Sequence, residues 1–419
     1  MTPGRKPVGV GIIGAGARGV YCIGEAMARL FHETGLRPTA IQSQPFEGAV
    51  EGKAHLERKL AEHDAFAEIA LCETSNELIN HPAVDLVLVC TPAYAHRDPA
   101  VAALRSGKKV YLDKPIAANL EDSIDIAEEE ARSPGPMLMG FTRRYELPWR
   151  KAYELLQDGA IGELQMMQIR AITPYWHYFQ TWHRRRAWSG GALNDKSSHH
   201  CDVFNWFAGG AKCTAVSAMG GRTRLFQPDP NAPARCSECS RECPYRSGNK
   251  PGSAPDDMHN DSKTERMATE EIYRKDNCVY LPGSDIRDHA ICSLTYSNGV
   301  KASLFWAIFG PRAEDEETFE LLGATGRNVL VRHTGRITLI RDYGRKTETL
   351  DFRGENFGQS HFGADDEMIR HMRQFVEGAP PVVSGSDGLS ATRMVMAIHN
   401  SIDDGGRVIS MDEMADIRV

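Results

Sequence analysis

Asp195 and His199 stand four residues apart in the run Gly190-Gly191-Ala192-Leu193-Asn194-Asp195-Lys196-Ser197-Ser198-His199-His200-Cys201-Asp202. On a helix that spacing stacks both side chains on one face. A carboxylate and an imidazole so placed are equipment for proton transfer. The same spacing suits a plainer arrangement, in which Asp195 complements the positive end of a capped helix and His199 is a satisfied structural group. Asp202, one turn beyond His199, fits the structural arrangement. Two further groups could do chemistry. Lys114 follows the apolar run Val110-Tyr111-Leu112 and precedes Pro115, and the thiols of Cys236, Cys239, Cys243 and Cys278 fall in a polar stretch.

The elements that must hold these groups can be read from period and punctuation. Val8–Ile13 is apolar and β-prone and runs into Gly14-Ala15-Gly16-Ala17-Arg18-Gly19, after which a helical pattern continues to Leu30. Strand, Gly-x-Gly-x-x-Gly, helix is the context of a dinucleotide site. The first glycine permits a tight turn, the second lets the backbone approach a pyrophosphate, and the third allows close packing of helix on strand. The plainer alternative is a glycine-rich turn of another α/β protein. A second strand near Thr39-Ala40-Ile41 ends in Gln42-Ser43-Gln44. It has neither the acidic residue that would bind the ribose 2′-hydroxyl of NAD nor an Arg for the 2′-phosphate of NADP. NAD is preferred, with NADP open. Val84–Cys90 reads as a buried parallel strand ending in Thr91-Pro92-Ala93-Tyr94-Ala95-His96, and Lys109–Leu112 as another ending in Asp113-Lys114-Pro115. Polar groups at such carboxyl ends lie where ligands bind in doubly wound sheets. A solvated loop cation at Lys114 and a helix-capping side chain at His96 are the alternatives.

Gly14 through Gly19, Thr91-Pro92 with His96, Asp113-Lys114-Pro115, and Gly191 through Asp202 together resemble, in order and spacing, the glucose–fructose oxidoreductase / inositol dehydrogenase / MocA family. The resemblance covers nearly the whole chain. Asp113 stands where the family usually has Glu, and Thr142-Arg143-Arg144-Tyr145 resembles its Asn-x-Arg-aromatic segment with Thr142 in the Asn place. The resemblance implies a Rossmann-type parallel sheet over residues 1–141 and, over 142–419, an α+β domain with a large open, mainly antiparallel sheet. It implies cofactor contacts from Gly14, Gly16, Ala17, Arg18, Gly19, Thr91, Pro92, His96, Asp113 and Lys114, and catalytic roles for Lys114, Asp195 and His199. His199 is the expected proton acceptor, with Lys114 its rival; Asp195 would orient the substrate or His199. Substrate contacts are expected from Arg144, Tyr145, Trp182, Arg184 and His199. The open sheet implies a homodimer or homotetramer.

In the second half, the segment Trp176–Trp188 mixes aromatic and basic residues, suited to sugar C–H faces and to anionic groups, or equally to a half-buried loop with a solvated rim. Residues 222–285 break the pattern, and a loop this long needs a cross-link or a function. Cys236-x2-Cys239-x3-Cys243 offers three soft ligands and Cys278 a fourth, which fits a structural tetrahedral zinc. His259 could replace Cys278, and reduced free thiols are the alternative. Ser297-Asn298-Gly299 between two alternating runs marks a hairpin.

The 419 residues carry a formal net charge of −7, which gives no basic field for nucleic acid. No apolar run is long enough to span a bilayer, and no signal peptide precedes Val8, so a cytoplasmic location is expected. The expected activity is oxidation of a secondary hydroxyl of a sugar, sugar acid or cyclitol by hydride transfer to NAD(P). The rivals are an NAD-dependent glycosidase working by transient oxidation of a ring hydroxyl, and a dinucleotide sensor without catalysis. Retention of Lys114, Asp195 and His199 argues against the sensor.

Overall fold

The computed structural model describes residues 6–247, 271–354 and 357–415. Part of the cysteine-bearing insertion, with His259, lies outside these. The chain forms two compact units, Met1–Glu146 with Gly354–Ser390, and Leu147–Arg353 with Ala391–Val419.

In the first unit the strands are β1 (Val8–Ile13), β2 (Leu36–Gln42), β3 (Ala70–Leu71), β4 (Leu86–Val89), β5 (Lys109–Leu112) and β6 (Met137–Met139). All pair in parallel in the order β3-β2-β1-β4-β5-β6. Every residue of β1 and β4 is buried, as the continuous apolar runs require of strands covered on both faces. The chain leaves β1 outward through β2 and β3, then restarts beside β1 with β4. Strand order therefore reverses between the carboxyl ends of β1 and β4, the place where such sheets bind ligands.

The resemblance places all of 142–419 in the second domain. The structure instead returns residues 354–390 to the first unit. The helix Ala364–Val376 buries Met368, Ile369, Met372 and Phe375 in one core with Ile23, Met27 and Phe31. Its apolar stripe completes the Rossmann core, which periodicity alone does not disclose.

The second unit is built on nine strands: β7 (Leu164–Ile172), β8 (Cys213–Gly221), β9 (His289–Tyr296), β10 (Lys301–Ala307), β11 (Glu317–Gly323), β12 (Arg327–Val331), β13 (Arg336–Arg341), β14 (Lys346–Asp351) and β15 (Ile409–Ser410). Their order is β14-β13-β12-β11-β7-β10-β9-β8-β15. All neighbours are antiparallel except β7 and β10. Gly299, at φ +89°, closes the β9–β10 turn. One sheet face is apolar and buried, through Ile169, Leu294, Leu304, Trp306, Phe319 and Leu321. The helix Gly191–Phe207 packs there, with the Phe207 ring 4.8 Å from that of Phe319. Among the described residues, no helix is long and apolar enough to cross a membrane.

Candidate active site

The glycines of the first loop do three different things. Gly14 sits at φ +97°, and a Cβ there would lie 2.7 Å from the Cys90 and Thr91 backbone, so only glycine fits beside β4. A Cβ on Gly19 would come within 2.5 Å of the Gly14 carbonyl oxygen, so helix and loop pack in contact. Gly16 is the opposite case. A Cβ there would meet nothing within 4 Å, so this part of the loop is open to an approaching ligand. The helix behind it begins with a wide, π-type turn over Ala17–Gly24. This arrangement fits a dinucleotide pyrophosphate. At the end of β2, Ser43 Oγ accepts the Ala15 N–H at 3.3 Å, and Gln42 and Ser43 are buried where an acidic residue would read a ribose.

Arg18, Asp113 and His96 work within the protein. The Arg18 guanidinium reaches Asp365 Oδ1 at 2.6 Å, Asp113 Oδ1 at 3.3 Å and the Tyr111 hydroxyl at 3.3 Å. Burial alone would raise the Asp365 carboxyl, but Arg18 and His361 together hold it well below the usual carboxylate range. His96 is buried. One ring nitrogen meets the Thr91 carbonyl at 2.8 Å, and the other meets those of Pro115 and Ile116 at 2.9 and 3.2 Å. It clamps the Thr91-Pro92 end of β4 to the Lys114-Pro115 end of β5. Lys114 is half-buried at that end. Arg144 lies 3.8 Å from Asp387, and Tyr145 is buried with its ring 5.9 Å from that of His371.

In the second unit, Gly190 at φ +74° turns the chain into the helix Gly191–Phe207, of which all but Asn205 and Trp206 are buried. Burying so many polar side chains is unfavourable unless each is engaged. Asp195 accepts a short hydrogen bond from the Tyr178 hydroxyl at Oδ2, while its Oδ1 lies 3.8 Å from His183 Nε2. The Tyr178 and His183 rings stack at 4.2 Å, nearly parallel, and Trp182 stacks on His183 at 3.9 Å. The Lys196 ammonium sits 3.3 Å from the Tyr175 hydroxyl and 4.5 Å above its ring. His199 is buried one turn after Asp195. His200 faces elsewhere, 3.6 Å from buried Glu317, which Arg332 also meets at 3.3 Å. That trio straps the helix to β11.

His399 secures the start of the same helix. Its Nδ1 accepts from Arg287 and its Nε2–H donates to the Gly190 carbonyl at 3.2 Å, which fixes a neutral tautomer. Burial, with Arg186 and Arg287 nearby, holds its pKa well below the usual imidazole range.

Sequence reasoning missed Tyr178 and His183. They sit in the short turns Trp176–Phe179 and Trp182–Arg184, whose irregular spacing has no period to read. The aromatic–basic composition of the segment was the available signal. Arg184 is fully buried; it pairs with Glu271 and donates to the Leu281 and Pro282 carbonyls at 2.7 and 3.1 Å. Arg185 pairs with the same Glu271 at 2.9 Å. The arginine run thus ties down residues 271–283. Cys236, Cys239, Cys243 and Cys278 are all unbridged. They are not gathered into a closed ligand set: among the described residues, the one group of three with ligand atoms within 4.8 Å of one another is Cys22, His361 and Asp365. Arg18 bonds that same Asp365, which sets a fixed positive charge against any cation there.

Residues 8–141 match an oxidoreductase family with an NAD-binding Rossmann fold, and residues 149–329 match the GFO/IDH/MocA C-terminal domain. YteT of Bacillus subtilis (strain 168) is 28% identical over 257 residues, 58% of this chain and 59% of YteT. Inositol 2-dehydrogenase of Gluconacetobacter diazotrophicus (strain ATCC 49037 / DSM 5601 / CCUG 37298 / CIP 103539 / LMG 7603 / PAl5) is 27% identical over 227 residues, 53% of this chain and 60% of that protein. The alignments therefore span less than two thirds of these relatives. Among solved structures, an NAD-binding oxidoreductase from Klebsiella pneumoniae has a TM-score of 0.73 at 18% identity, over 97% of this chain and 99% of that one. A levoglucosan dehydrogenase in complex with NADH and levoglucosan has a TM-score of 0.72 at 17% identity, over 97% and 100%. At such identities these likenesses speak for the fold alone. With both of its domains matched in chain order, this protein belongs to the Gfo/Idh/MocA family of oxidoreductases.

Proposed function

We propose that the protein is an NAD-dependent dehydrogenase that oxidises a secondary hydroxyl of a cyclitol, sugar or sugar acid. The observation that carries this reading is the buried helix on which Asp195, held by Tyr178 and flanked by His183, lies one turn before His199. A helix that binds a dinucleotide or merely packs needs no such group. The open side of the loop at Gly16 supports NAD as the group bound, and the naming of relatives as inositol 2-dehydrogenases supports a polyol substrate.

When bound, oxidised nicotinamide supplies the hydride acceptor. The protein then has to take the hydroxyl proton and steady the oxygen it leaves. His199 is assigned as the proton acceptor. Lys114, at the carboxyl end of β5 and braced by the His96 clamp, donates a hydrogen bond to the oxygen as negative charge develops. Asp195 is the orienting carboxylate for His199 and the substrate. That the Tyr178 hydroxyl donates to one of its oxygens, with His183 3.8 Å from the other, supports orientation over proton acceptance. Arg144, Tyr145 and Trp182 are assigned to substrate contact. The donors of Arg184 spent inside the protein favour an anchoring role for it, and those of Arg18 do the same.

The exposed sheet face supports a homo-oligomer. Met219, Ile291 and Phe305 are adjacent across β8, β9 and β10, and Met166 and Leu322 across β7 and β11; all five are exposed. A second copy of this chain is the assigned occupant.

The test is a panel of inositols, hexoses, sugar acids and their glycosides with NAD and with NADP, followed for reduced cofactor and for released aglycone. Net NADH from an unglycosylated polyol is expected. Aglycone release without net NADH would replace the dehydrogenase with a glycosidase, and binding of NAD with neither product would make the chain a sensor.

A further inference from the structure

The cysteines at residues 236–243 and 278 lie outside the chemistry assigned above, and the fold runs the segments that carry them side by side. Arg235 and Asn277 form an antiparallel bridge. Around it, the Cys236 N–H donates to the Asp276 carbonyl at 2.7 Å and the Cys278 N–H to that of Ala234 at 3.1 Å. Side chains alternate across such a ribbon, so Cys236 and Cys278 project from the same side, opposite Arg235 and Asn277. Cys236 also opens a tight turn, closed by the Cys239 N–H on the Cys236 carbonyl at 3.2 Å. That is the turn in which a Cys-x2-Cys pair presents two sulfurs to one ion. The chain then folds back: Arg246 donates to the Cys239 carbonyl at 2.6 Å through its guanidinium and to the Cys243 carbonyl at 3.2 Å through its N–H.

We propose that Cys236, Cys239, Cys243 and Cys278 form a tetrathiolate site for one structural zinc ion. The Cys278 sulfur is within electrostatic reach of the other three. A donor points at one of the sulfurs: Gln180 Nε2 lies 3.5 Å from Cys236 Sγ. Hydrogen bonds of this kind stabilise metal-bound sulfur. Zinc binding would displace the four thiol protons, and the dication would balance the charge of the thiolates it binds. The sulfurs stand wider apart here than the roughly 2.3 Å zinc–sulfur bond allows. Zinc binding would therefore have to draw the Cys239–Cys243 loop onto the ribbon.

The site also has a mechanical consequence. The Gln180 that donates to Cys236 has its own carbonyl held by the Asn277 N–H and side-chain amide at 3.1 and 3.0 Å. Gln180 lies between Tyr178 and His183, the two groups on Asp195. Zinc would thus brace the segment that holds the carboxylate.

The experiment uses the full chain, purified without chelators. Elemental analysis is expected to return about one zinc per chain. Alkylation in native buffer is expected to spare these four cysteines until a strong chelator is added, then to modify all four. Cys239→Ser with Cys278→Ser should lose the zinc, whereas Cys213→Ser should keep it. Zinc-free protein whose four thiols alkylate equally fast with and without chelator overturns the proposal, and so does full zinc in the double variant. The wild-type measurements decide the matter even if the double variant fails to fold, and neither depends on the dehydrogenase reading.

Discussion

Lys114, Asp195 and His199 carry the chemical assignment, and the first, the last and the hydroxyl that holds Asp195 can each be removed singly. His199→Ala and Lys114→Ala are each expected to lower turnover about 10²-fold or more, with NAD affinity, read by fluorescence titration, little changed. Near-normal turnover in either variant removes that residue from the mechanism. Tyr178→Phe deletes one hydroxyl from Asp195 and keeps the ring stacked on His183. It is expected to lower kcat about tenfold, with KM for the polyol nearly constant; an unchanged kcat would leave Tyr178 a packing residue. The Gly14–Gly19 loop and the Asp195–His199 pair could be read from sequence because each is a local pattern. The partners could not. Tyr178 and His183 reach Asp195 from irregular turns, and Glu271 meets Arg184 across 87 residues. A run of arginines beside tryptophans reads equally as ligand-facing or as part of a half-buried loop, and the Glu271 pairs of Arg184 and Arg185 cannot be seen in it.

Among the elements, the helix Gly191–Phe207 starts with no acidic residue in its first turn and no side-chain cap on Gly190. His399, on the helix Gly385–Asp403, steadies the turn ahead of it instead, by donating to the Gly190 carbonyl, and it does so neutral. Its folded-state pKa is depressed, by burial first and by Arg186 and Arg287 next. The unfolded chain therefore takes up the proton first as pH falls. The stabilisation is present above the unfolded imidazole value of about 6.5 and is lost below it. Denaturant unfolding of the wild type is expected to weaken between pH 7 and pH 5, an interval spanning that value of about 6.5. His399→Gln can still accept from Arg287 and donate to Gly190, so it should weaken less over the same interval. Equal slopes would discharge His399 from this role. Most strands were readable from alternation and turn residues, the β9–β10 hairpin best of all. Their pairing was not. Alternation gives β7 a buried face without saying that β10 and β11 flank it, and the stripe on Ala364–Val376 does not name the core it fills.

For the whole molecule, the exposed row of Met219, Ile291 and Phe305 is where the proposed homo-oligomer can be tested. Replacing Ile291 and Phe305 together with Asp should leave the fold intact by circular dichroism and halve the mass seen by sedimentation, because charges desolvate poorly at an interface core. A variant with unchanged mass would place the contact elsewhere. The connectivity has a consequence of its own, one of timing. β7 ends at Ile172, but its parallel neighbour β10 starts at Lys301 and its antiparallel neighbour β11 at Glu317. During synthesis at about 5–20 residues per second, the finished β7 waits roughly ten seconds for either flank. The first unit waits longer still, for the helix Ala364–Val376. Folding of the second unit therefore starts late in synthesis and rests on non-local pairing, which slows it. Nascent chains stopped before β10 would display a bare apolar strand, the kind of surface that chaperones hold.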